Sequence, residues 1–466
     1  MDSQFNSLKS SILKILLLFV FVVLLEYICV VIYFNKNNYP IGFNTNITLD
    51  YNVRNIVSHK FVTNTSSKYS KFRCTGDENN INAWQNRLCI FNNICYNVKK
   101  DQFEYYRRLR KSQSPLFYDS KLGMLQDFGN KFLSLTLRGG QPWSPVVVNQ
   151  SCPQTNITWL SNLHTLWRPY FGGDNFGHTV WEDFGSIHYS LQRMNEFDDQ
   201  LMIMHTNKVP RDSNFVKYLD TVLITLTSKP LLEYKSYLAT FNTNYVCFQK
   251  FMAGSNLVFF IPEGVREHDG REALLNKWRS KIIAHHRFDP KYIPTEHRIV
   301  ITNKSASIWA KGSSGLHRSI ANLHEVVKFV RETYPRIPVD VIEWHKIPFS
   351  KQIELLLKTT ILITPCGGVS MIAPFLPHGS HAIIMDYYVS VDGFGFEKGS
   401  SASMEGMLLN HFPHFKKDYY QIYDSTDYVF DIPGTQDTRN DASILIKLDR
   451  LRLLIETALD DMNLYY

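Results

Sequence analysis

The second half of the sequence predicts an α/β fold built on a parallel, doubly wound sheet, and three observations carry that expectation. Four short apolar runs follow one another: Arg298–Thr302, Val339–Ile342, Ile361–Thr364 and His381–Asp386. Helical patterns separate the first three, and a Gly367-Gly368 turn with a short apolar helix separates the third from the fourth. Strands joined by helices run parallel, because a parallel return needs a crossover and not a hairpin. Sheets of this kind take their ligands at the carboxyl ends of the strands.

Each element has a local reason. Val326, Val327 and Val330 give the helix after the first strand its apolar face, with Asn322 as its predicted cap and Glu325 in capping-box position. Ser350 is the predicted cap of a second helix over 351–358. The first half is less regular. Val180, Trp181, Phe184, Ile187, Leu191 and Met194 form a stripe that predicts a helix over Gly177–Asn195. Asp199–His205 and Asp220–Leu226 are predicted as strands, which suggests a further α/β domain over 75–290. A long amphipathic helix is predicted over the last 25 residues, where Ile444, Leu445, Leu448, Leu451, Leu454, Ile455 and Leu459 recur at helical spacing.

The 466 residues are 44% hydrophobic and 20% charged, which excludes disorder as a global description. A net charge of +7 without any run of five like charges argues against a nucleic-acid partner. Ile15–Leu25 and Tyr27–Phe34 are apolar runs interrupted by Glu26. Together they are long enough to cross a bilayer core of roughly 30 Å. No small-residue cleavage site follows, and Lys9 and Lys14 precede the run, so an uncleaved anchor with a cytoplasmic amino terminus is predicted. The expected organisation is a tail (1–14), an anchor (15–34), a stem (35–74), a first α/β domain (75–290), a Rossmann-like domain (291–400) and a closing segment (401–466). Sequons at Asn46, Asn64, Asn149, Asn156 and Asn303 fit a luminal body. Outside the anchor, six cysteines (74, 89, 95, 152, 247 and 366) are compatible with disulfides or with buried thiols.

Three constellations could carry chemistry. His178 and Glu182 are four apart, the spacing at which an α-helix lets a carboxylate orient an imidazole, and Asp183 lies beside them. The same spacing also suits a plain surface pair. Cys366-Gly367-Gly368 closes a buried strand, where glycines let backbone approach a phosphate, although such a turn also serves as a tight connection. Lys304 and Arg318, with Lys311 and His317, place cations after the first strand of the same sheet, a set suited to a diphosphate. No DxD metal motif accompanies them, so no metal is expected. Asn303 precedes Lys304 in this loop and is expected to stay unglycosylated.

Taken in order, these residues resemble glycosyltransferase family 61, the group of plant β-1,2-xylosyltransferases, the EGF-domain O-linked N-acetylglucosamine transferase and the protein O-mannose β-1,4-N-acetylglucosaminyltransferase. Asn175, Phe176, His178 and Glu182 match the family's N-[FYL]-x-H-x3-[DE] segment. Arg318, Ile320 and Asn322 match R-x-I-x-N, and Gly367, Gly368, Phe375, Leu376, Pro377 and Gly379 match HGAG-x-(5–6)-FLP-x-G.

The resemblance implies a GT-B architecture of two Rossmann-like domains and a type II membrane protein of the Golgi or ER. It implies inverting, metal-independent transfer from a UDP-sugar, UDP-GlcNAc or UDP-xylose, to a glycan or glycoprotein hydroxyl. It would make Lys304, Arg318, Asn322, Cys366, Gly367 and Gly368 donor-binding residues. His178 with Glu182 or Asp183 would then surround the acceptor hydroxyl. Two positions depart from the family: Cys366 replaces a histidine, and Lys304 replaces an arginine, a point charge in place of a fork. The departures motivate an alternative, a non-catalytic carbohydrate-binding or scaffold protein on the same fold.

Overall fold

The structure is a computed structural model, and it describes residues 68–75, 83–108, 115–119, 123–125, 127–135, 141–168, 177–196, 198–206, 221–254, 271–304, 318–385, 408–420, 422, 424–430 and 442–462. All lie within one compact unit, Ser66–Tyr466. The anchor and most of the stem fall outside the described residues. No described helix is long and apolar enough to cross a membrane.

The first sheet has nine strands: β1 (Lys71–Thr75), β2 (Leu88–Asn92), β3 (Ile94–Asn97), β4 (Gln102–Tyr106), β5 (Val146–Val148), β6 (Ile157–Trp167), β7 (Met202–His205), β8 (Leu232–Glu233) and β9 (Tyr245–Gly254). Its main path runs β8-β7-β6-β9-β3-β4-β5, with β2 also on β9 and β1 on β2. Strands β8, β7, β6 and β9 are mutually parallel. In chain order they stand third, second, first and fourth, so the strand order reverses between β6 and β9. The rest is an antiparallel addition, with β2 and β3 on β9, β1 on β2 and β4 on β3, apart from the parallel pair of β4 and β5. The Rossmann-like expectation for this half therefore holds only for the four parallel strands. Disulfides Cys74–Cys89 and Cys95–Cys247 join directly paired residues of β1 and β2 and of β3 and β9. Cys152 and Cys366 are buried and take no part in either disulfide.

The second sheet has five parallel strands, β10 (Ile299–Thr302), β11 (Val339–Ile342), β12 (Ile361–Pro365), β13 (His381–Met385) and β14 (Lys416–Tyr420). Their order is β11-β10-β12-β13-β14, so the reversal lies between β10 and β12. Ile299, Val300 and Ile301 of β10, Ile361, Leu362 and Ile363 of β12, and Ala382, Ile383 and Ile384 of β13 are wholly buried. Continuous apolar runs of this kind belong to a parallel sheet covered on both faces. The core of the first sheet differs in kind: Phe91, Phe103, Phe128, Phe132, Phe248 and Phe251 pack ring against ring.

Five helices matter to the site: α1 (Gly185–Met194), α2 (Arg271–His285), α3 (Leu323–Thr333), α4 (Phe349–Leu357) and α5 (Leu448–Met462). The stripe over Gly177–Asn195 is helical as expected, but His178–Phe184 is a π-helix that continues into α1. Asp220 lies outside the described residues, and 221–226 do not form the predicted strand. Residues 221–223 are helical, and Leu226 N donates to Leu223 O, so the segment closes on itself instead of extending. Helix α4 starts two residues earlier than predicted. Pro348 takes the cap position, with its carbonyl accepting from Lys351 N and Gln352 N, and Ser350 lies inside the helix. Helix α5 starts later than predicted, because Ile444 pairs with Tyr428 in a short strand, Ala442–Ile444, and Leu445 lies outside the helix. The helix buries Leu451, Ile455, Ala458 and Met462, whereas Leu453 faces solvent.

Candidate active site

Strand order creates two crevices, one at each reversal. At the first, β6 ends at Trp167 and β9 at Gly254. Thr165, Leu166, Trp167, Met252 and Gly254 form one wall of a recess whose other wall is Glu182, Asp183, Ser186, Ile187 and Ser190. The recess is narrow and partly open to solvent, with room for about one water molecule between its walls. Gly254 is a steric necessity there: its φ is +112°, and a Cβ would lie 2.2 Å from the Arg87 carbonyl oxygen. Glu182 is 1% exposed and Asp183 3%. Carboxylates are rarely buried so deeply unless they are partnered or functional.

The π-helix brings these carboxylates to the crevice. Its i→i+5 bonds widen the turn, and π segments concentrate at functional sites. The α-helical i,i+4 relation assumed for His178 and Glu182 does not apply over these residues. His178 heads the π-helix, and its side chain lies outside the described atoms. Sequence reading did not single out Ser186 or Trp167. Both are buried at the recess, and Ser186 Oγ and Trp167 Nε1 have no hydrogen-bond partner among the described residues.

At the second reversal, β10 ends at Thr302 and leads into Asn303 and Lys304, while β12 ends at Pro365 and leads into Cys366, Gly367 and Gly368. Gly367 has φ +102°, and Ser370 donates to its carbonyl through both N (3.0 Å) and Oγ (2.7 Å), which closes the turn. The guanidinium of Arg318 lies directly over this turn. Its Nη1 would stand 3.1 Å from a Cβ on Gly367, so the absent side chain is what lets the cation approach. Arg318 itself has φ +51°, a left-handed conformation uncommon for a long side chain and a mark of functional constraint. Its Nε is buried with no acceptor among the described residues. Lys304 is half-buried on the same edge.

Asn322 stands apart from this group. It occupies the cap position of α3, but its side chain does not cap the helix. Its Oδ1 accepts from Ile446 N at 2.9 Å, and its Nδ2 donates to Ile446 O at 3.0 Å and to Glu325 at 3.3 Å. The amide thus ties the start of α3 to the segment before α5. The expected capping box is replaced by this cross-link.

Side chains join the two crevices directly. Trp181, in the π-helix between the stripe and the carboxylates, donates Nε1 to Met371 O at 2.7 Å, four residues beyond Gly367. Helix α2 adds a second bridge. Trp278 Nε1 donates to Val180 O at 3.2 Å, and Arg279 donates to Pro374 O at 2.6 Å and Leu376 O at 2.7 Å. Burial lowers Arg279 to about 10, where it stays charged at neutral pH and holds those carbonyls. Among the described residues no cluster of three or more His, Cys, Asp or Glu side chains is arranged to hold a metal ion.

Residues 176–383 match the family described as Glycosyltransferase 61. They form a family 61 glycosyltransferase region. The match starts just before the π-helix and ends within β13, so it takes in Glu182 and Asp183 as well as Lys304, Arg318 and the Gly367 turn. No curated protein matches the chain. The match, over a little less than half of the chain, supports a glycosyltransferase role. The two crevices differ in charge: one edge is cationic and glycine-lined, the other acidic.

Proposed function

We propose that the protein is an inverting glycosyltransferase of GT-B type that transfers a sugar from a UDP-sugar, UDP-GlcNAc or UDP-xylose, to an acceptor hydroxyl. The observation that carries this reading is the Arg318 guanidinium seated over Gly367 at the carboxyl end of β12. Helix and turn amides with a converging cation suit a diphosphate, and they stabilise it most as it departs with added charge. Lys304 supplies a second positive charge on that edge, and the two cations take the place that a metal ion fills in metal-dependent transferases. Transfer would then need no metal.

Across the Trp181–Met371 bridge, Glu182 and Asp183 face the acceptor crevice. One of them, directly or through His178, takes the proton of the acceptor hydroxyl as its oxygen attacks the anomeric carbon. Attack from the side opposite the diphosphate inverts that carbon. The two disulfides and the apolar run near the amino terminus support a luminal body held in a Golgi or ER membrane.

Thermal stability of the ectodomain, residues 36–466, measured with UDP, GDP, CMP and NAD, tests the reading. Selective stabilisation by UDP that survives EDTA is the expected result. No stabilisation by any nucleotide would refute donor binding and leave a carbohydrate-binding role, in which Cys366 marks a lost donor contact.

A further inference from the structure

We infer that Asn149 and Asn156 carry N-linked glycans and that Asn303 does not. The inference rests on the luminal placement proposed above, and it separates three sequons that look alike in sequence. The reaction joins the side-chain Nδ2 to the anomeric carbon of a lipid-linked oligosaccharide. The N–C bond forms, the C–O bond to a polyisoprenyl diphosphate breaks, and the amide gives up one proton. The lipid diphosphate is the leaving group. A folded chain tolerates the product only where Nδ2 faces open solvent and the glycan obstructs nothing.

Asn149 and Asn156 meet both conditions. Both are exposed. Asn149 follows β5, the outermost strand, which stands three strands from β9 in the sheet order. At the spacing of neighbouring strands that is about 14 Å from the first crevice. Asn156 precedes β6 at the end opposite Trp167, and the 11 residues of that strand span roughly 35 Å. Its backbone is left-handed at φ +51°, and its Oδ1 accepts from Asn244 N at 3.3 Å while the side chain stays exposed.

Asn303 fails on both counts. It is half-buried, its backbone N donates to Ile342 O at 2.9 Å, and its Nδ2 points to Glu343 Oε1 at 3.5 Å. It also sits between Thr302 and Lys304 at the second crevice, where a glycan would cover the edge that carries Arg318. Glycans would then cover the far strand and the amino end of the first sheet, leaving both carboxyl edges open.

The full chain, produced in a eukaryotic secretory host, is mapped by peptide mass spectrometry before and after peptide N-glycosidase treatment. Glycan on the Asn149 and Asn156 peptides, none on the Asn303 peptide, and loss of one glycan mass in each of Asn149→Gln and Asn156→Gln are expected. Bare Asn149 and Asn156 beside a modified Asn46 or Asn64 overturn the inference while leaving the luminal placement intact. A glycan on Asn303 overturns it as well. If all five sequons are bare, the luminal placement falls and the inference falls with it.

Discussion

The carboxyl edge of the first sheet presents two buried carboxylates, whereas that of the second presents an arginine, a lysine and a glycine turn. Both edges lie where the strand order reverses, so topology supplies an equivalent crevice in each and side chains alone decide its use. The charges cannot be exchanged. At 4 Å and an effective dielectric near 20, a carboxylate repels a phosphate charge by about 4 kcal/mol, and a guanidinium attracts it by the same amount. A guanidinium, in turn, cannot accept a proton from a hydroxyl. The fold makes two pockets of opposite charge, and the proposed reading gives one to the leaving group and the other to the nucleophile.

Neutralising the acidic edge gives the largest expected effect. Glu182→Gln and Asp183→Asn keep shape and burial, and the one that acts as base loses turnover by about 10²–10⁴. Donor affinity stays unchanged in both, because the diphosphate binds across the bridge. Steady-state kinetics with titrated UDP-sugar reads the two quantities separately. A parallel loss of UDP affinity would show that the crevices are one site and break the comparison.

On the cationic edge the effect is smaller and falls on binding. Arg318→Ala removes a charged hydrogen-bond donor, so UDP affinity drops by about 1.5–3 kcal/mol, roughly tenfold to a hundredfold. Gly367→Ala places a methyl 3.1 Å from Arg318 Nη1 in a backbone with φ +102°, and should weaken UDP in the same direction by displacing that side chain. The double variant is expected to be no weaker than Arg318→Ala alone, since both changes act on one contact. Additive losses by calorimetry would separate the glycine from the arginine.

Trp181→Phe tests the connection between the edges. The ring against Phe375 and Phe412 is kept, while the Met371 carbonyl loses its buried donor. A stability loss of about 1–3 kcal/mol follows, read as a lower Tm. Turnover should fall with it if the bridge sets the distance between the crevices. Unchanged turnover in the folded variant would make the bridge purely structural.

Much of the second sheet was legible because its strands are apolar on both faces, and β10, β11, β12 and β13 fall where their Val and Ile runs predict. The first sheet was harder to read. Its short strands carry polar residues, and β9 became legible only through partners far away in sequence, such as Cys95 with Cys247. Side-chain patterns give an apolar stripe for the π-helix and an α-helix alike, so the stripe predicted a helix without its pitch. The seat of Arg318 on Gly367 joins residues 49 apart, and nothing in the spacing of either announces it. Asn322 illustrates the converse, since its partner Ile446 lies 124 residues away, beyond any local capping rule.

Two buried histidines, one on each side of the comparison, give it an electrostatic form. His188 stacks on Trp278 just beyond the π-helix, where burial, with Lys281 and Lys277 adding, lowers it to about 3. A proton there is disfavoured in the folded state, so stability from this side is lost as pH falls below the ordinary histidine value toward 3. His381 opens β13, and burial acts against its charge, but Asp418 at 2.7 Å and Asp461 at 2.9 Å on its two nitrogens raise it overall. Its contribution is complete below the unfolded value and is lost as pH rises through the folded one. Each site contributes a slope of about 1.4 kcal/mol per pH unit between its two values. Melting curves of His188→Phe and His381→Asn across pH 4–9 should therefore change opposite limbs. The first variant flattens the acid limb, and the second lowers stability in acid while removing the loss on the alkaline side. Because Asp461 belongs to α5, the alkaline loosening should begin at that helix, and faster amide exchange over Leu448–Met462 at high pH is its signature. Equal changes on both limbs from either variant would mean that the two regions share one titration, and the electrostatic division between them would not stand.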